Sequence, residues 1–221
     1  MSEDDSNGKR PKLTPLPDGP FVYENPLSPQ SGKILDSEGR VIAPREGAAL
    51  CRCGGSSDKP FCDGTHAKIG FSSRRLSDHG NDRRRTYEGR EITIYDNRCV
   101  CAHPRYCVDS LPAVFRLGQR PWIDPDGAAA EEIIEAVERC PSGALSYSVD
   151  GVEHRDLDRE PSITVSKDGP YCLVGGIEVV GEEPRARDVS GEHCTCCRCG
   201  HSSNKPFCDG THHTTGFKDD E

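Results

Sequence analysis

The chain has 221 residues, of which only 33% are hydrophobic and 6% aromatic, and it contains 13 cysteines. This apolar supply is thin for one large core, so the composition indicates several small modules held together by something other than packing. The net charge of −9 argues against nucleic acid as the main partner, and no apolar run approaches the roughly 18 residues of a membrane span.

The amino terminus, Met1-Ser-Glu-Asp-Asp, is acidic and polar and does not resemble a secretory signal peptide. We therefore expect residues 1–9 to form a disordered tail and the protein to be cytoplasmic. In that reducing compartment, cysteines serve more often as metal ligands or redox centres than as disulfides.

The next element of the chain occurs twice. The sequence CRCGGSSDKPFCDGTH at 51–66 returns as CRCGHSSNKPFCDGTH at 197–212, an offset of 146 residues. Upstream, a turn of sequence Asp-Gly-Pro-aromatic begins at Asp18 and again at Asp168. Two copies are too few for a solenoid, so the repeat predicts a pseudo-symmetric pair packed face to face. The copies are expected at 10–73 and 160–218.

Each copy carries the same four candidate metal ligands: a Cys-x-Cys pair, a third cysteine nine residues on, and a histidine four residues beyond it. They are Cys51, Cys53, Cys62 and His66 in the first copy, and Cys197, Cys199, Cys208 and His212 in the second. Three thiolates and one imidazole suit either zinc or an iron–sulfur cluster. Cys-x-Cys places two sulfurs where they can hold one iron of a two-iron cluster, and Cys plus His can hold the other. A zinc-stabilised knuckle is the alternative.

The residues between these ligands also predict local structure. Gly54 allows the backbone to approach the site closely, and Pro60 fixes the chain that enters Cys62. Asp63 is expected to be the N-cap of a short helix that contains His66. Backbone amides in that first turn would then point toward a negatively charged cluster.

The motif C-x-C-G-x-S-x2-K-P-F-C-D-G-T-H closely resembles the CDGSH iron–sulfur domain (mitoNEET-type) family, with threonine at the serine position. The resemblance implies one [2Fe-2S] cluster for each motif, held by the three cysteines and the histidine. It also implies that the two copies form within one chain the pair that relatives make by dimerising. We therefore expect a monomer with internal pseudo-two-fold symmetry and no membrane anchor.

The segment 86–150 between the copies has a different pattern. A strand is expected at 91–95, a helix at 128–139 and a returning strand at 144–149. The charged stretches 72–85 and 150–161 are interpreted as linkers. The whole is thus expected to be an α+β protein, in which two small β-rich modules form an intramolecular pseudo-dimer with an inserted ferredoxin-like α+β domain.

This middle segment has its own cysteine motif. Cys101 and Cys107 occupy the outer positions of a C-x2-C-x2-C run, and Cys140-Pro supplies the distant cysteine that follows a helix. With the ending CPSGAL, the segment resembles the divergent mono-cluster ferredoxin-like domain family, which implies one [4Fe-4S] or [3Fe-4S] cluster. Pro104 stands where the middle cysteine would be. Either three cysteines hold a three-iron cluster, or His103, Cys99 or an exogenous ligand binds a fourth iron.

The remaining cysteines, Cys172, Cys194 and Cys196, are expected to pack rather than bind metal. His213, next to a predicted ligand, is the one further histidine with a possible role as a proton partner.

The motifs favour an electron-transfer protein with an unidentified redox partner protein. Cluster storage, cluster transfer to an apo-acceptor, and redox or pH sensing form a second hypothesis, and an interaction module with structural zinc forms a third. Nothing in the sequence resembles a nucleophile–base pair or a nucleotide-binding loop, so an enzyme is not expected.

Overall fold

The structure is a computed structural model that describes residues 10–25, 32–42, 48–77, 82–181, 186 and 188–219. The predicted tail at 1–9 lies outside these residues. The strands are β1 (Lys12–Pro15), β2 (Phe21–Glu24), β3 (Lys33–Leu35), β4 (Val41–Ile42), β5 (Ala49–Leu50), β6 (Arg84–Glu88), β7 (Thr93–Asn97), β8 (Leu145–Val149), β9 (Val152–His154), β10 (Ser162–Val165), β11 (Tyr171–Val174), β12 (Glu178–Val179) and β13 (Cys194–Cys196). The helices are α1 (Thr65–Lys68), α2 (Tyr106–Ser110), α3 (Ala130–Glu138) and α4 (His212–Thr215), with a 3-10 turn at Arg98–Val100.

Strands from the two repeated copies combine in two shared sheets. One sheet has the order β12-β1-β2-β5 and the other has the order β13-β11-β10-β3-β4. The joins are parallel: Lys12 pairs with Glu178 where β1 meets β12, and Ile34 pairs with Ile163 where β3 meets β10. Each sheet therefore contains strands of both copies.

One apolar cluster fills the space between these sheets. Its fully buried members include Leu13, Phe21 and Leu50 from the first copy and Ile163 and Tyr171 from the second. Neither copy has enough apolar side chains to bury a core alone, so sharing strands builds one core from two small halves.

The repeated Asp-Gly-Pro-aromatic turns close equivalent hairpins, one joining β1 to β2 and the other joining β10 to β11. Asp18 and Asp168 both adopt left-handed backbone angles, with φ of 47° and 51°. A short polar residue tolerates this conformation better than a bulky one, which is why aspartate suits the turn.

The middle segment forms its own antiparallel sheet in the order β6-β7-β8-β9, with α3 packed against it. Ile94, Phe115, Ile123 and Ile133 are almost completely buried in this second core. The structure therefore contains the expected helix and both expected strands. Their ends differ from the expected ends by up to about two residues, as is usual for element boundaries.

The two stretches interpreted as linkers are only partly linkers. Strand β6 begins inside the first stretch, and β9 lies entirely inside the second. They add edge strands to the middle sheet, where the rings of Tyr147 and His154 stack with centroids 4.8 Å apart. These strands could not be recognised from the sequence because they are rich in charged residues. An edge strand buries little surface, so it needs few apolar side chains.

The structure is thus a mixed α+β fold, rich in sheet and with short helices, as the sequence predicts. No helix among the described residues has the length and apolar character to cross a bilayer. The pseudo-dimer arrangement and the exact domain limits stay predictions.

Candidate metal centres

The four predicted ligands of the first copy come together as two pairs. Cys51 and Cys53 are buried, and their Sγ atoms lie 3.7 Å apart. Cys62 Sγ lies 3.3 Å from Nδ1 of His66. Backbone hydrogen bonds bring the two segments together, since the amide of Cys51 donates to Pro60 O at 2.8 Å.

The second copy repeats this geometry. The Sγ atoms of Cys197 and Cys199 are 3.7 Å apart, and Cys208 Sγ is 3.4 Å from His212 Nδ1. The amide of Cys197 donates to Pro206 O at 2.8 Å, as its counterpart does in the first copy.

These distances match chelation of one metal by each pair. Two thiolates bound at about 2.3 Å to one tetrahedral metal are separated by about 3.8 Å. The observed Cys–Cys distances are close to that value, and the Cys–His distances are slightly shorter, as the shorter metal–nitrogen bond requires.

The backbone around each Cys-x-Cys pair favours negative charge. The thiol of Cys53 and the amides of Gly54 and Ser56 hydrogen-bond the Cys51 sulfur and lower the pKa of Cys51, whereas the pairing with Cys51 raises the pKa of Cys53. In the second copy the equivalent hydrogen bonds lower the pKa of Cys197, and the pKa of Cys199 is raised by its pairing with Cys197. Backbone amides that donate hydrogen bonds to sulfur stabilise a thiolate and would stabilise an anionic cluster.

The histidines predicted as ligands follow these loops in α1 and α4. Burial is the main cause that lowers the pKa of His212 to about 4, and His213 lowers it further. The imidazole is therefore neutral and able to bind a metal across the physiological range.

The expected N-cap at Asp63 is wrong in position, although the residue has the expected contact. Gly64 occupies the N-cap with φ of 85°, and Asp63 Oδ1 accepts the amide hydrogen bond of Thr65 at 2.9 Å. The same carboxylate accepts a hydrogen bond from the amide of Ser57, so it braces the whole ligand loop. These hydrogen bonds hold its pKa well below the usual range.

The two copies touch each other directly at their metal sites. Cys53 and Cys199 form an isolated antiparallel bridge. A Cβ on Gly54 would lie 2.8 Å from Cys199 O, and one on Gly200 would lie 2.7 Å from Cys53 O. Only glycine permits this reciprocal approach of the two backbones.

Two buried arginines were missed by the sequence reasoning. Arg52 donates to Leu16 O at 2.9 Å, and Arg198 donates to Ser166 O at 2.7 Å, so each braces the Asp-Gly-Pro turn of its own copy. Each guanidinium also lies over the aromatic residue of that turn, at 4.7 and 5.1 Å. The sequence did contain a clue to these arginines, because the residue between the paired cysteines is arginine in both copies.

Three of the four cysteines of the middle segment, Cys101, Cys107 and Cys140, line one cavity of about 270 Å³. Cys101 follows the 3-10 turn, Cys107 lies in α2, and Cys140 follows the end of α3. His103 and His213 line the same cavity. This volume far exceeds the roughly 30 Å³ of a water molecule, so the donor set surrounds room for a larger group.

Two features of this cavity fit an iron–sulfur site. His103 and Arg105 adopt left-handed angles, with φ of 54° and 68°, which is uncommon outside glycine and typical of ligand loops. Burial raises the pKa of Cys101 to about 12 and that of Cys107 to about 11. These thiols must lose their protons to bind metal, and the bound metal compensates for the buried charge.

The other cysteines lie elsewhere. Cys99 sits half-buried in the 3-10 turn, against the middle core and outside the cavity lining. Cys194 and Cys196 are buried on β13 within the shared core, and Cys172 is half-buried on β11. Cys194 and Cys196 pack in the core as expected, whereas Cys172 lies outside the core cluster with its Sγ 3.2 Å from Ser166 Oγ.

Comparison with known proteins was consistent with this arrangement. A family model described as iron-binding zinc finger CDGSH type matches residues 18–67 and 168–213, and one described as divergent 4Fe-4S mono-cluster matches residues 87–150. The uncharacterized protein YjdI of Escherichia coli strain K12 is 38% identical over 63 residues, which are 28% of this chain and 83% of that relative. YjdI of Escherichia coli O157:H7 matches to the same extent. No solved structure matches the chain.

The two family models cover both ends and the middle of the chain in the order expected from the motifs. The recurring donor pairs and the three-cysteine cavity lie inside the matched ranges. The chain therefore belongs to the CDGSH-type iron-binding family and is an iron–sulfur protein, in which two CDGSH domains flank a divergent 4Fe-4S mono-cluster domain.

Proposed function

We propose that this protein transfers electrons through two [2Fe-2S] clusters, each held by three cysteines and one histidine, and one [4Fe-4S] or [3Fe-4S] cluster in the middle domain. The observation that carries the proposal is the pairing of the donors in each CDGSH copy. Bound clusters supply one-electron redox chemistry.

Paired donors support a two-iron cluster over a single zinc ion. In each copy the Cys–Cys pair and the Cys–His pair are each spaced to hold one metal. A structural zinc site needs four donors around one point.

The contacts between the copies support an intramolecular pseudo-dimer. The two copies share both sheets, and they meet at the bridge between Cys53 and Cys199. The same reciprocal contact would be expected across a two-fold axis of a homodimer. We therefore propose a monomer that contains its own pseudo-two-fold pair.

In the middle cavity, Cys101, Cys107 and Cys140 are the proposed cluster ligands. His103 is favoured over Cys99 as a fourth ligand because His103 lines the cavity and Cys99 does not. Without a fourth protein ligand the three cysteines would suit a [3Fe-4S] cluster.

The protein's own residues tune these centres for electron exchange. One neutral imidazole in place of a thiolate makes a cluster less negative, which raises its potential above that of an all-cysteine site. The amides of the ligand loops add further stabilisation of negative charge. We propose a redox partner protein as the source or acceptor of electrons, with no enzymatic reaction in the chain itself.

Cluster storage or transfer is the second candidate function, and the exposure of the first copy favours it. Cys62 and His66 are only half-buried, so a cluster bound there would be open to an apo-acceptor protein. Their counterparts Cys208 and His212 are 3% and 5% exposed.

Incubation with an acceptor separates the two functions. Holo-protein is cycled repeatedly between oxidised and reduced states, and a matched sample is mixed with apo-ferredoxin. An electron carrier keeps its iron and sulfide through the cycles and leaves the acceptor empty. Rapid appearance of a cluster in the acceptor would support transfer, and a colourless protein that contains zinc would refute both functions.

A further inference from the structure

One residue touches both the middle cavity and the second CDGSH site. His213 lines the cavity that Cys101, Cys107 and Cys140 surround. Its ring also contacts that of the predicted ligand His212, with centroids 4.0 Å apart and ring planes tilted by 39°. His213 therefore lies between the two predicted cluster sites, where its ring lines the middle cavity and contacts His212.

The middle domain packs tightly against the second CDGSH loop beside His213. A Cβ on Gly210 would lie 2.9 Å from Cδ2 of His103 and 3.1 Å from Ala102 O. His213 and Asp209 both act on His103 electrostatically, which places all three in one cluster of groups. The loop that carries Cys101 and Cys107 thus rests on the loop that carries Cys208 and His212.

Among the residues that the structure describes, the first CDGSH copy has no equivalent contact. At the offset of 146 residues, Ala67 takes the place of His213, and it is exposed. Gly64 takes the place of Gly210, with a similar φ of 85°, but a Cβ there would meet no atom within 4 Å. The first site therefore faces outward, while the second site adjoins the middle domain.

The second site also adjoins the first. Cys53 and Cys199 are directly opposite each other in an antiparallel bridge. The contacts thus run in one order: middle cavity, second CDGSH site, first CDGSH site.

We propose that His213 is the residue that couples the middle cluster electronically to the second CDGSH cluster, and that electrons move along the order middle, second, first. This inference rests on the proposed electron-transfer function. In each step one electron leaves a reduced iron–sulfur centre, which is oxidised by one unit, and enters an oxidised centre, which is reduced by one unit. The imidazoles break no bond and exchange no proton.

His213 would couple the two clusters because its ring fills part of the gap between their sites. Electron tunnelling weakens steeply with distance, and it weakens faster through solvent or empty space than through contacting atoms. The His212 and His213 rings close the gap on one side, and His103 closes it against Gly210 on the other. Without His213, the gap loses the ring that lines the cavity.

The test uses the internal repeat as its own control. His213→Ala gives the second copy the residue of the first, and Ala67→His places the ring on the copy that has no neighbouring domain. Both positions are exposed, so both proteins are expected to fold. Holo-protein is reduced by a light flash with a flavin donor, and cluster absorbance and freeze-quenched paramagnetic resonance spectra follow the redistribution of electrons.

Wild type is expected to show a first-order phase whose rate does not depend on protein concentration. His213→Ala should slow this phase by about an order of magnitude, and Ala67→His should leave it unchanged. His213→Phe, which keeps a ring without its nitrogens, should retain most of the rate. Redox titration of each variant checks that the potentials, and hence the driving forces, are the same.

A second pair of variants tests the contact without touching a histidine. Gly210→Ala should push the middle domain off the second loop and slow the same phase, while Gly64→Ala has the same backbone strain and no neighbour. An unchanged rate in both His213→Ala and Gly210→Ala, with iron content and potentials intact, would overturn the coupling alone. Absence of reducible clusters in wild type would refute the proposed function, and this inference with it.

Discussion

The two CDGSH copies have nearly the same sequence in different surroundings. Over 16 residues they differ at two positions, and their donor pairs agree to within 0.1 Å. Yet Cys208 and His212 are buried, whereas Cys62 and His66 are half-buried. The comparison teaches that the motif sets ligand geometry, while a neighbouring domain sets access to the site.

Stability should be most sensitive to substitutions at the close contact between the two copies. Gly200→Ala or Gly54→Ala forces a Cβ to within about 2.8 Å of a backbone carbonyl of the other copy and adds left-handed strain. We expect a loss of about 3–5 kcal/mol in unfolding free energy. Denaturant unfolding of the holo-protein measures it.

Gly64→Ala is the matched control, since its backbone angle is similar and its Cβ would meet nothing within 4 Å. It should cost only about 1 kcal/mol. Equal losses at Gly200 and Gly64 would show that the copies do not depend on this close approach.

Removal of the buried arginines should have the next largest effect on stability, and the effect should differ between the two copies. Arg198 hydrogen-bonds the turn of its copy and also forms an ion pair with Asp219. Arg52 hydrogen-bonds the equivalent turn of the first copy at Leu16 O. We expect Arg198→Ala to cost about 3 kcal/mol and Arg52→Ala about 2 kcal/mol. Asp219→Asn, measured in the same denaturant series, should account for most of the difference between them.

The domain that covers the second copy contains a buried carboxyl with a testable pH dependence. Asp96 is 1% exposed, accepts a hydrogen bond from Trp122 Nε1, and has no partner for its other oxygen among the described residues. Burial raises the pKa of Asp96 to about 6, and Arg98 partly opposes the rise. A raised carboxyl pKa contributes stability below the unfolded pKa, and this contribution is lost as pH rises through about 6.

Asp96→Asn should therefore stabilise the protein by about 2 kcal/mol near pH 7, with a gain that shrinks toward pH 5. Unfolding curves at both pH values check this, and Asp109→Asn, an exposed aspartate of the same domain, is the control. A gain that grows on acidification would have the wrong sign.

The smallest expected effect is on the rate of cluster loss. Under a chelator, the cluster at Cys62 and His66 should leave about tenfold faster than the one at Cys208 and His212, a difference of about 1.4 kcal/mol in activation free energy. Cys62→Ser and Cys208→Ser each leave one CDGSH site intact, so absorbance decay in the two variants compares them. Equal rates would mean that the middle domain gives no protection.

Much of the candidate site could be predicted from sequence because metal ligation is local. Cys-x-Cys and Cys-x3-His place donors within one loop, so spacing alone predicted both pairs in each copy. The middle cavity was also predictable, since Cys101 and Cys107 share a loop and Cys140 follows a recognisable helix.

The rest depends on contacts between distant parts of the chain. The parallel pairing of β3 with β10 joins residues more than a hundred positions apart, and nothing in their short sequences specifies it. The same holds for the contact of Gly210 with His103. The predicted N-cap, Asp63, is one residue too early because Gly64, with its left-handed backbone, occupies the N-cap position.

We infer that two equal two-iron sites lie in unequal surroundings. Paramagnetic resonance of fully reduced protein, with iron and sulfide counts and nitrogen-labelled histidine, tests it most directly. We predict two two-iron signals, each coupled to one histidine nitrogen, of which one relaxes faster because a third cluster lies beside it. Two signals with the same relaxation, or zinc in place of iron, would contradict this account.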